Sequence, residues 1–309
     1  MLDPRRLLLL RDLARLGTIA AVAEVHAYTA SAVSQQLSTL ERESGCVLLR
    51  RTGRRVELTA AGRALAGHAD AVLAALENAA AAAIAADGAL GGRVAVGAFP
   101  SAVRPIVLPA MVEIDRKNAG VELEVSEIDP ADAPEALLRN RLDLALVHDY
   151  DNVPIGYTEG IETAALLDEP VYIASSAPVA RTSAGECDIA VLADRRWIAG
   201  SAGTRCHTMM IRLCRHHGFE PQIAHRIDDF DAVLQLVAAG AGVAVVPQLG
   251  ACTPPPGVTL TLAGIHRRTR IACASGRAGN PAIAAVIDAL RSASQAVVGC
   301  TVSHPDAAV

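Results

Sequence analysis

The sequence lacks most features of a secreted or disulfide-bonded protein. Its seven cysteines are an odd number and form no C-x-x-C pair, which argues against a disulfide framework. Its first six residues lack the apolar core and the small-residue cleavage site of a secretory signal. The most alanine-rich stretch, residues 60–86, is interrupted by charged and polar side chains and does not predict a membrane span. We therefore expect a soluble cytoplasmic protein with reduced thiols and no membrane partner.

Lysine is almost absent, since Lys117 is the only one, and charged residues make up just 20% of the 309. The formal net charge of −5 is unevenly distributed, because residues 1–67 carry ten arginines against six acidic residues, a net of +4 that leaves −9 for the rest. This balance excludes a wholly basic nucleic-acid coat protein and a disordered acidic chain. With 51% apolar residues, the chain has enough core material for two or three domains. We expect a small basic head on a large acidic body.

Three short helices are predicted in the basic head, and capping signals set their ends. Asp3 and Thr18 are N-caps for the first helix and for the second, which covers about residues 19–25. Gly17 ends the first helix, and Gly45 ends the third. Val33, Leu37 and Leu40 recur on one face of the third helix at the spacing of a buried stripe.

The opposite face of the third helix is short, polar and nearly uncharged. It holds Ser31, Ser34, Gln35 and Ser38 at the spacing i, i+3, i+4 and i+7. Side chains without bulk or negative charge can approach base edges, where glutamine matches adenine and serine serves either partner. A solvated helix face explains these four residues equally well. Two helices joined by a tight turn, with the second carrying this face, nevertheless form the helix-turn-helix arrangement.

A hairpin wing is predicted after these helices. Two short apolar runs, residues 47–49 and 56–58, flank the segment Arg50-Arg51-Thr52-Gly53-Arg54-Arg55. In a wing, Arg51, Arg54 and Arg55 would meet phosphates or the minor groove. The alternative is a solvated surface hairpin.

Residues 29–37, 40–41, 48–51 and 58–62, together with Gly45, resemble the signature of LysR-type transcriptional regulators. In that family the third helix enters the major groove. The resemblance assigns base and phosphate contacts to Ala30, Ser31, Ser34 and Gln35, with Arg54 or Arg55 in the wing. The chain departs from the family at Ala30-Ser31, where many members carry Gln-Pro, and at His26, where a buried leucine is usual. We interpret His26 as a satisfied core histidine.

A long linker helix is predicted to follow the head. Thr59 caps a stretch that has almost no helix breaker until residue 87, and the 27 residues from 60 to 86 would span about 40 Å. Apolar positions spaced by alanines suit helix–helix packing in a homodimer or homotetramer. Two heads held at a fixed distance would read a roughly two-fold symmetric operator in double-stranded DNA. The alternative is an ordinary core helix.

The acidic body alternates predicted strands and helices, which is typical of a mostly parallel sheet with helices on its faces. We predict an α+β multidomain protein: a winged helix-turn-helix (1–58), a linker (59–88), and a two-lobed α/β effector domain like periplasmic binding proteins. Lobe 1 comprises 89–165 and 263–298, lobe 2 comprises 166–262, and 299–309 is a disordered tail. The runs 142–146 and 240–247 are similar to the effector-domain signatures of LysR-type regulators.

A small-molecule effector is expected between the two lobes. Ser101 and Thr204 lie at the starts of predicted helices, where free N–H groups attract acceptors or anions. By resemblance to the family, these loops line the cleft; the candidate residues are Ser101, Ser201, Gly203, Thr204, Asp228 and Asp229. Hydroxyls and helix ends suit a carboxylate, and Asp228 or Asp229 could take an amine. The alternative for each residue is a plain helix cap.

Cys206, Met210, Cys214 and His217 form one helical stripe of potential soft-metal ligands, but a buried helix face has the same spacing. We predict no metal, cofactor or catalytic residue here, because the spacing shows no base, orienting group or oxyanion site for a cysteine nucleophile. The sequence thus indicates an effector-responsive, sequence-specific transcriptional regulator rather than an enzyme. The alternative is a two-lobed solute-binding protein or a Cys-dependent enzyme of similar fold.

Overall fold

The computed structural model describes residues 1–52, 55–86, 90–154, 156 and 158–298, with the side chains of 51–55 and 298 outside that description. The predicted tail, residues 299–309, and the predicted end of the linker, residues 87–88, lie outside the described residues. Contacts divide the chain into two units. The first comprises residues 1–90 with 274–283, and the second comprises 91–273 with 284–309.

The first unit begins with three helices whose ends follow the capping signals. They are α1 (Pro4–Leu16), α2 (Ile19–Val25) and α3 (Ala30–Ser44). The side chains of Asp3, Thr18 and Thr29 each accept a hydrogen bond from a backbone N–H in the first turn. Gly17 and Gly45 end α1 and α3 in the left-handed conformation, with φ of 75° and 67°. The predicted helix ends are confirmed.

The core of the first unit lies between these helices. Leu10, Val22, Val33, Leu37 and Leu40 are each at most 1% exposed and pack in one cluster. This cluster holds α3 by its apolar stripe and therefore turns the opposite face outward.

The wing is a two-stranded antiparallel hairpin of β1 (Leu49–Thr52) and β2 (Arg55–Leu58). The prediction placed the first run at residues 47–49. Strand β1 starts only at Leu49. Glu41 Oε1 accepts hydrogen bonds from the backbone N–H groups of Leu48 and Leu49, at 2.8 and 3.0 Å, so these groups bond to α3 rather than to a partner strand.

Helix α4 (Ala60–Ala86) has the predicted bounds. Near its start, a Cβ added to Gly62 would lie 2.2 Å from the carbonyl oxygen of Leu48, so this close approach requires glycine. Asp70 pairs with Arg11 at 3.4 Å and with Arg15 at 2.8 Å, which joins α4 to α1. Further along, Asn78 Nδ2 donates to the carbonyl of Gly276 at 2.7 Å. Arg277 also pairs with Glu77 at 2.8 Å, so the turn 277–279 is joined to the same helix.

Among the described residues, α4 is the one helix that is long and apolar enough to cross a membrane by length and composition. Of its most apolar stretch of 18 residues, 11% is buried. A single helix of this kind is weak evidence for a span. The ion pairs of Asp70 and Glu77 within the first unit are the placement expected of a helix packed on protein.

The second unit is built on an eight-stranded sheet with the order β4-β3-β5-β10-β6-β9-β7-β8. Its strands are β3 (Gly92–Ala98), β4 (Val121–Glu127), β5 (Leu144–Tyr150), β6 (Ile161–Ser175), β7 (Arg196–Ala199), β8 (Gln222–Arg226), β9 (Val243–Pro247) and β10 (Thr259–Ala274). β3 pairs in parallel with β4 and β5, and β7 pairs in parallel with β8 and β9. These are the two α/β groups of the predicted lobes.

Two long strands, β6 and β10, connect these groups, with β10 antiparallel to β5 and β6 antiparallel to β9. Apolar runs in the sequence predict strand at residues 171–174 and 270–274, which covers only a small part of β6 and β10. Their additional residues include charged side chains whose pairs come from distant segments, such as Arg268 with Asp149 at 3.0 Å. The predicted lobe boundaries at 165/166 and 262/263 fall inside β6 and β10 and stay a prediction.

The helices of the second unit are α5 (Pro100–Ala102), α6 (Leu108–Lys117), α7 (Ala133–Leu138), α8 (Arg205–His216), α9 (Phe230–Ala238) and α10 (Pro281–Val298). The sequence predicts one helix that starts at Ser101 and continues through Ile114. The structure instead has a π-helical turn at 103–107 between α5 and α6. Pro105 and Pro109 lack the N–H that a regular helix needs, which explains the irregular turn.

Candidate functional site

The recognition face of α3, which we define as Ala30, Ser31, Ser34, Gln35 and Ser38, is open to solvent. Ser34 is half-buried and the other four residues are exposed. Ser31 Oγ lies 3.0 Å from Thr29 Oγ1. Within the described part of the chain, the side chains of Ser34, Gln35 and Ser38 make no hydrogen bond. The face therefore has free donors and acceptors for an external surface.

Side-chain contacts hold the helix that carries the recognition face. Arg6 Nε donates to Gln36 Oε1 at 2.8 Å, and Arg6 also pairs with Glu43 near the end of α3. Glu41 joins α3 to the start of the wing, as described above. The polar side chains thus stand on a helix whose other contacts are fixed, as recognition by shape requires.

The remaining residues predicted in the head are accounted for in part. His26 Nε2 lies 2.7 Å from Asp12 Oδ2, so the histidine is satisfied within the fold, as expected. Arg54 and the side chains of Arg51 and Arg55 lie outside the described residues. Their contacts with DNA stay a prediction from the sequence.

The second unit contains a cavity of about 270 Å³ between its two α/β groups. Ser101, Thr204 and Asp228 lie in its wall, so three of the six predicted effector residues come together. The apolar part of the wall is formed by side chains from both groups: Phe99, Ile128, Ile198, Ile227, Phe230 and Val233. An apolar wall with a few convergent polar groups is typical of a small-molecule site.

The other three predicted effector residues serve the loops around the cavity. Ser201 donates to Asp228, with N to Oδ1 at 2.7 Å and Oγ to Oδ2 at 2.5 Å. Asp229 caps α9 by accepting from the N–H of Ala232 at 2.7 Å. Gly203 is exposed, with φ of +96°, and does not line the cavity. Thr204 combines both roles, because its Oγ1 accepts from the N–H of His207 at 3.2 Å.

The sequence did not predict the buried polar residues Arg267 and Glu169 beside this cavity. Arg267 is completely buried, and its Nε donates to Glu169 Oε1 at 2.7 Å. Glu169 Oε2 accepts from the N–H of Leu249 at 2.7 Å. Arg267 Nη1 donates to Ser101 Oγ at 3.2 Å, and its guanidinium carbon lies 4.9 Å from the centre of the Phe99 ring. Burial is the largest influence and opposes the charge of Arg267. The charge and hydrogen bond of Glu169, together with Tyr150 and Cys206, nevertheless raise the pKa above its ordinary value.

His148 is the second buried polar residue in the wall. It is 4% exposed, and its ring stands edge-on to Phe99 at 4.6 Å between ring centres. Burial, followed by the charges of Arg267 and Arg205, holds the pKa of His148 well below its ordinary value. The imidazole is therefore neutral near neutral pH.

Cys206 does not have the surroundings of a nucleophile. Its Sγ lies 3.1 Å from the hydroxyl of Tyr150, and burial raises the pKa of the thiol. A raised pKa keeps the thiol protonated and unreactive at neutral pH.

The Cys206–His217 stripe is mainly a core face. Met210 and Cys214 are buried in an apolar cluster with Trp197, and burial raises the pKa of Cys214 to about 12. His217 is exposed at the end of α8. Among the described residues, no group of three or more His, Cys, Asp and Glu side chains is placed to hold a metal ion.

These features define a class of protein. A helix-turn-helix with an open polar face, a long helix and a two-lobed α/β unit around a cavity is the architecture of a ligand-responsive DNA-binding regulator.

Comparisons with known proteins place the chain within that class. Residues 4–63 match the family model "Bacterial regulatory helix-turn-helix protein, lysR family", and residues 87–295 match "LysR substrate binding domain". The chain therefore belongs to the LysR family of transcriptional regulators. It is 33% identical over 289 residues to the HTH-type transcriptional regulator ShiR of Corynebacterium glutamicum (strain R), covering 88% of this chain and 95% of that protein. It is 31% identical over 218 residues to AlsR of Bacillus subtilis (strain 168), covering 70% of each.

Solved structures agree on the fold. A full-length OxyR variant from Pseudomonas aeruginosa superposes with a TM-score of 0.60 at 20% identity, covering 94% of this chain and 98% of that one. CbnR, described as a LysR family transcriptional regulator, superposes with a TM-score of 0.53 at 23% identity, covering 94% and 100%. The curated relatives are named as regulators of transcription, which favours a regulator over a solute-binding protein or a Cys-dependent enzyme.

Proposed function

We propose that this regulator reads a roughly two-fold symmetric operator through the recognition face of α3 and the wing arginines Arg51, Arg54 and Arg55. The single observation that carries the proposal is a helix held by its apolar face whose outward side chains are uncharged. Those of Ser34, Gln35 and Ser38 make no hydrogen bond within the described residues. Such side chains fit the major groove, where base edges supply donors and acceptors. The wing arginines supply the sequence-independent attraction to phosphates.

Introducing a single negative charge on this face tests the proposal. Ser34→Glu places a carboxylate where phosphates and base acceptors would approach, so operator affinity falls about 100-fold or more while the fold is retained. The matched control is Gln36→Glu, which adds the same charge to α3 and can still accept from Arg6. The measurement is a mobility shift with DNA upstream of the regulator's own gene. Wild-type affinity in Ser34→Glu removes α3 from the interface.

The chain works as a homodimer or homotetramer in this proposal. The support is α4, whose Val72, Leu76 and Ile84 are 42%, 49% and 60% exposed on an otherwise alanine-rich helix. Apolar side chains among small residues favour close helix pairing. Sedimentation of the protein with and without a single operator gives the number of chains bound, and one chain per operator contradicts the proposal. A regulator that binds DNA acts where the genome lies, so we place it in the cytoplasm.

The cavity of the second unit is the effector site in this proposal. Ser101, Thr204 and Asp228 line it, and Ser201, Gly203 and Asp229 shape the loops at its edge. A ligand that binds better to one arrangement of the two lobes shifts the population toward that arrangement and changes how the heads meet DNA. Filling the cavity with Ser101→Trp should abolish the effector response and leave basal operator binding unchanged.

A further inference from the structure

The buried wall of the cavity, which we define as Arg267, His148 and Arg205, carries polar groups that the described chain does not satisfy. Arg267 Nη2, both ring nitrogens of His148 and Arg205 Nε are buried without a hydrogen-bond partner among the described residues. All three residues line the cavity. Buried donors are almost always paired in native proteins, so this concentration points to a ligand that supplies acceptors.

The charges at this end favour an anion. Glu169 neutralises Arg267 from the side of Nε and leaves Nη2 with hydrogen-bonding capacity. Arg205 adds a second guanidinium and is the first residue of α8, a helix of 12 residues whose positive end also favours negative charge. A carboxylate offers two acceptor oxygens to these donors, which a single neutral acceptor does not.

Acidic side chains also line the cavity. Glu127 and Asp228 line the cavity and are exposed, and Asp129 beside them is half-buried. These carboxylates repel a second carboxylate on the same ligand, while they accept hydrogen bonds from a hydroxyl or an ammonium group. The cavity therefore favours a molecule with one acid group.

The volume of the cavity and its apolar surface narrow the chemical class of the ligand further. The volume of about 270 Å³ lies just below the range of cavities that hold drug-sized ligands, so the occupant is a small metabolite. Phe99, Ile128, Ile198 and Phe230 contribute apolar side chains to the wall. A ligand without an apolar body would leave this surface wetted and would gain little from entering.

Resting on the proposed effector site, we propose that the effector is a small monocarboxylic acid with an apolar body. Its carboxylate accepts hydrogen bonds from Arg267 Nη2 and Arg205 at the buried end. The rest of the ligand is neutral or cationic, because the carboxylates of Glu127 and Asp228 also line the cavity.

A panel of matched compounds tests the chemical class. Phenylacetate, hexanoate and cyclohexanecarboxylate are compared with their amides and with phenylenediacetate, adipate and cyclohexanedicarboxylate, by thermal shift of the full chain and then by calorimetry. We expect at least one monocarboxylate to raise Tm, with its amide and dicarboxylate binding about tenfold more weakly or worse. The proposal is overturned if no monocarboxylate raises Tm, or if the amides or dicarboxylates bind as well.

Variants test the residues. Arg205→Gln should raise the Kd of the best monocarboxylate about tenfold or more, whereas Arg215→Gln, the same change on an exposed position of α8, should leave it unchanged. The double variant Arg267→Met/Glu169→Gln removes both buried charges together and should abolish binding. Equal affinity in all three variants overturns the assignment.

Ser101→Trp separates failure of this inference from failure of the proposed site. If amides or dicarboxylates bind and Ser101→Trp blocks them, the cavity is the effector site and the acid class is wrong. If monocarboxylates bind equally well to Ser101→Trp, the cavity is not their site and both proposals fall. Operator binding, measured in parallel, tests the DNA-binding proposal independently of either result.

Discussion

The recognition face of α3 and the buried wall of the cavity both present polar side chains without partners in the described protein, yet their surroundings are opposite. Gln35 and Ser38 are exposed, so water satisfies them in the free protein at no cost. Arg267 and His148 are at most 4% exposed, so their unpaired atoms have lost water as well. An unpaired buried group costs about 1–3 kcal/mol, and an exposed one costs almost nothing.

This difference means that the same kind of observation carries different weight in the two regions. Unpaired polar groups on the surface are common, and the recognition face is identified only because a helix-turn-helix presents it. Unpaired polar groups in a buried wall are rare and indicate a ligand without reference to a family. Substitutions in the buried wall should therefore alter the free energy of unfolding, and substitutions on the recognition face should alter DNA binding alone.

The largest expected effect is on stability at Arg267. Arg267→Met leaves the Glu169 carboxylate buried and unpaired, so we expect the free energy of unfolding to fall by about 3–5 kcal/mol. The double variant Arg267→Met/Glu169→Gln removes the orphaned charge and should recover most of the loss. Urea unfolding of the three proteins measures both values. A double variant as unstable as the single one would show that the ion pair itself, rather than the lone charge, sets the cost.

A smaller effect, confined to DNA, is expected on the recognition face. Gln35→Ala should reduce discrimination at one operator base pair by about 1–3 kcal/mol, because one side-chain match to a base edge is removed. Its unfolding midpoint should stay at the wild-type value, since the side chain is exposed. Affinities for operators substituted at each position give the measurement, with Gln36→Ala as the control. Uniform weakening across all sequences would assign Gln35 to the phosphates.

The lowered pKa of His148 makes the stability of the second unit depend on pH. The folded chain keeps the imidazole neutral, whereas the unfolded chain binds a proton below about pH 6.5. Stability should therefore fall with acidification, by up to about 1.4 kcal/mol per pH unit below that point until the folded pKa is reached. Unfolding at about pH 7.5 and about pH 5.5 should show a smaller decrease in His148→Phe. The exposed His216→Phe is the control, and an equal decrease in all three proteins contradicts the assignment.

The smallest effect is expected from the wing. Replacing Arg54 and Arg55 together with glutamine should lower the slope of log affinity against log salt by about one for each phosphate that the wing no longer neutralises. The preference among operator sequences should persist, because interactions with phosphates carry no sequence information. The control is Arg139→Gln, an exposed arginine of the second unit. An unchanged slope would move the wing away from the duplex.

Local signals predicted the head well because its structure is locally determined. Asp3, Thr18 and Thr29 cap their own helices, and Val33, Leu37 and Leu40 are neighbours on one helix. The bounds of α4 follow from similar signals and are also confirmed. Capping and periodicity act over a few residues, so a sequence displays them directly.

The buried wall was not predicted because its residues interact with partners that are far away in the sequence. Arg267 pairs with Glu169, 98 residues earlier, and with Ser101, 166 residues earlier. Without those partners, a charged residue among other arginines is interpreted as a surface group. Ser101 was predicted as a helix-start residue for an anion, and the structure adds that its hydroxyl already accepts from Arg267. The one local sign was His148, which continues the fully buried strand β5.

Helix α4 is held at two separate points, one by the turn after β10 and one beside the wing. The carbonyl of Gly276 receives the hydrogen bond of Asn78, with Arg277 pairing with Glu77 beside it. Gly62, at the other end, is locked against Leu48 beneath the wing. The arm from Gly62 to Asn78 is about 24 Å, so a sideways shift of about 3.4 Å at Asn78 turns the head by about 8°. A head turned by this angle presents α3 to the major groove at a different angle, which changes its fit to a half-site.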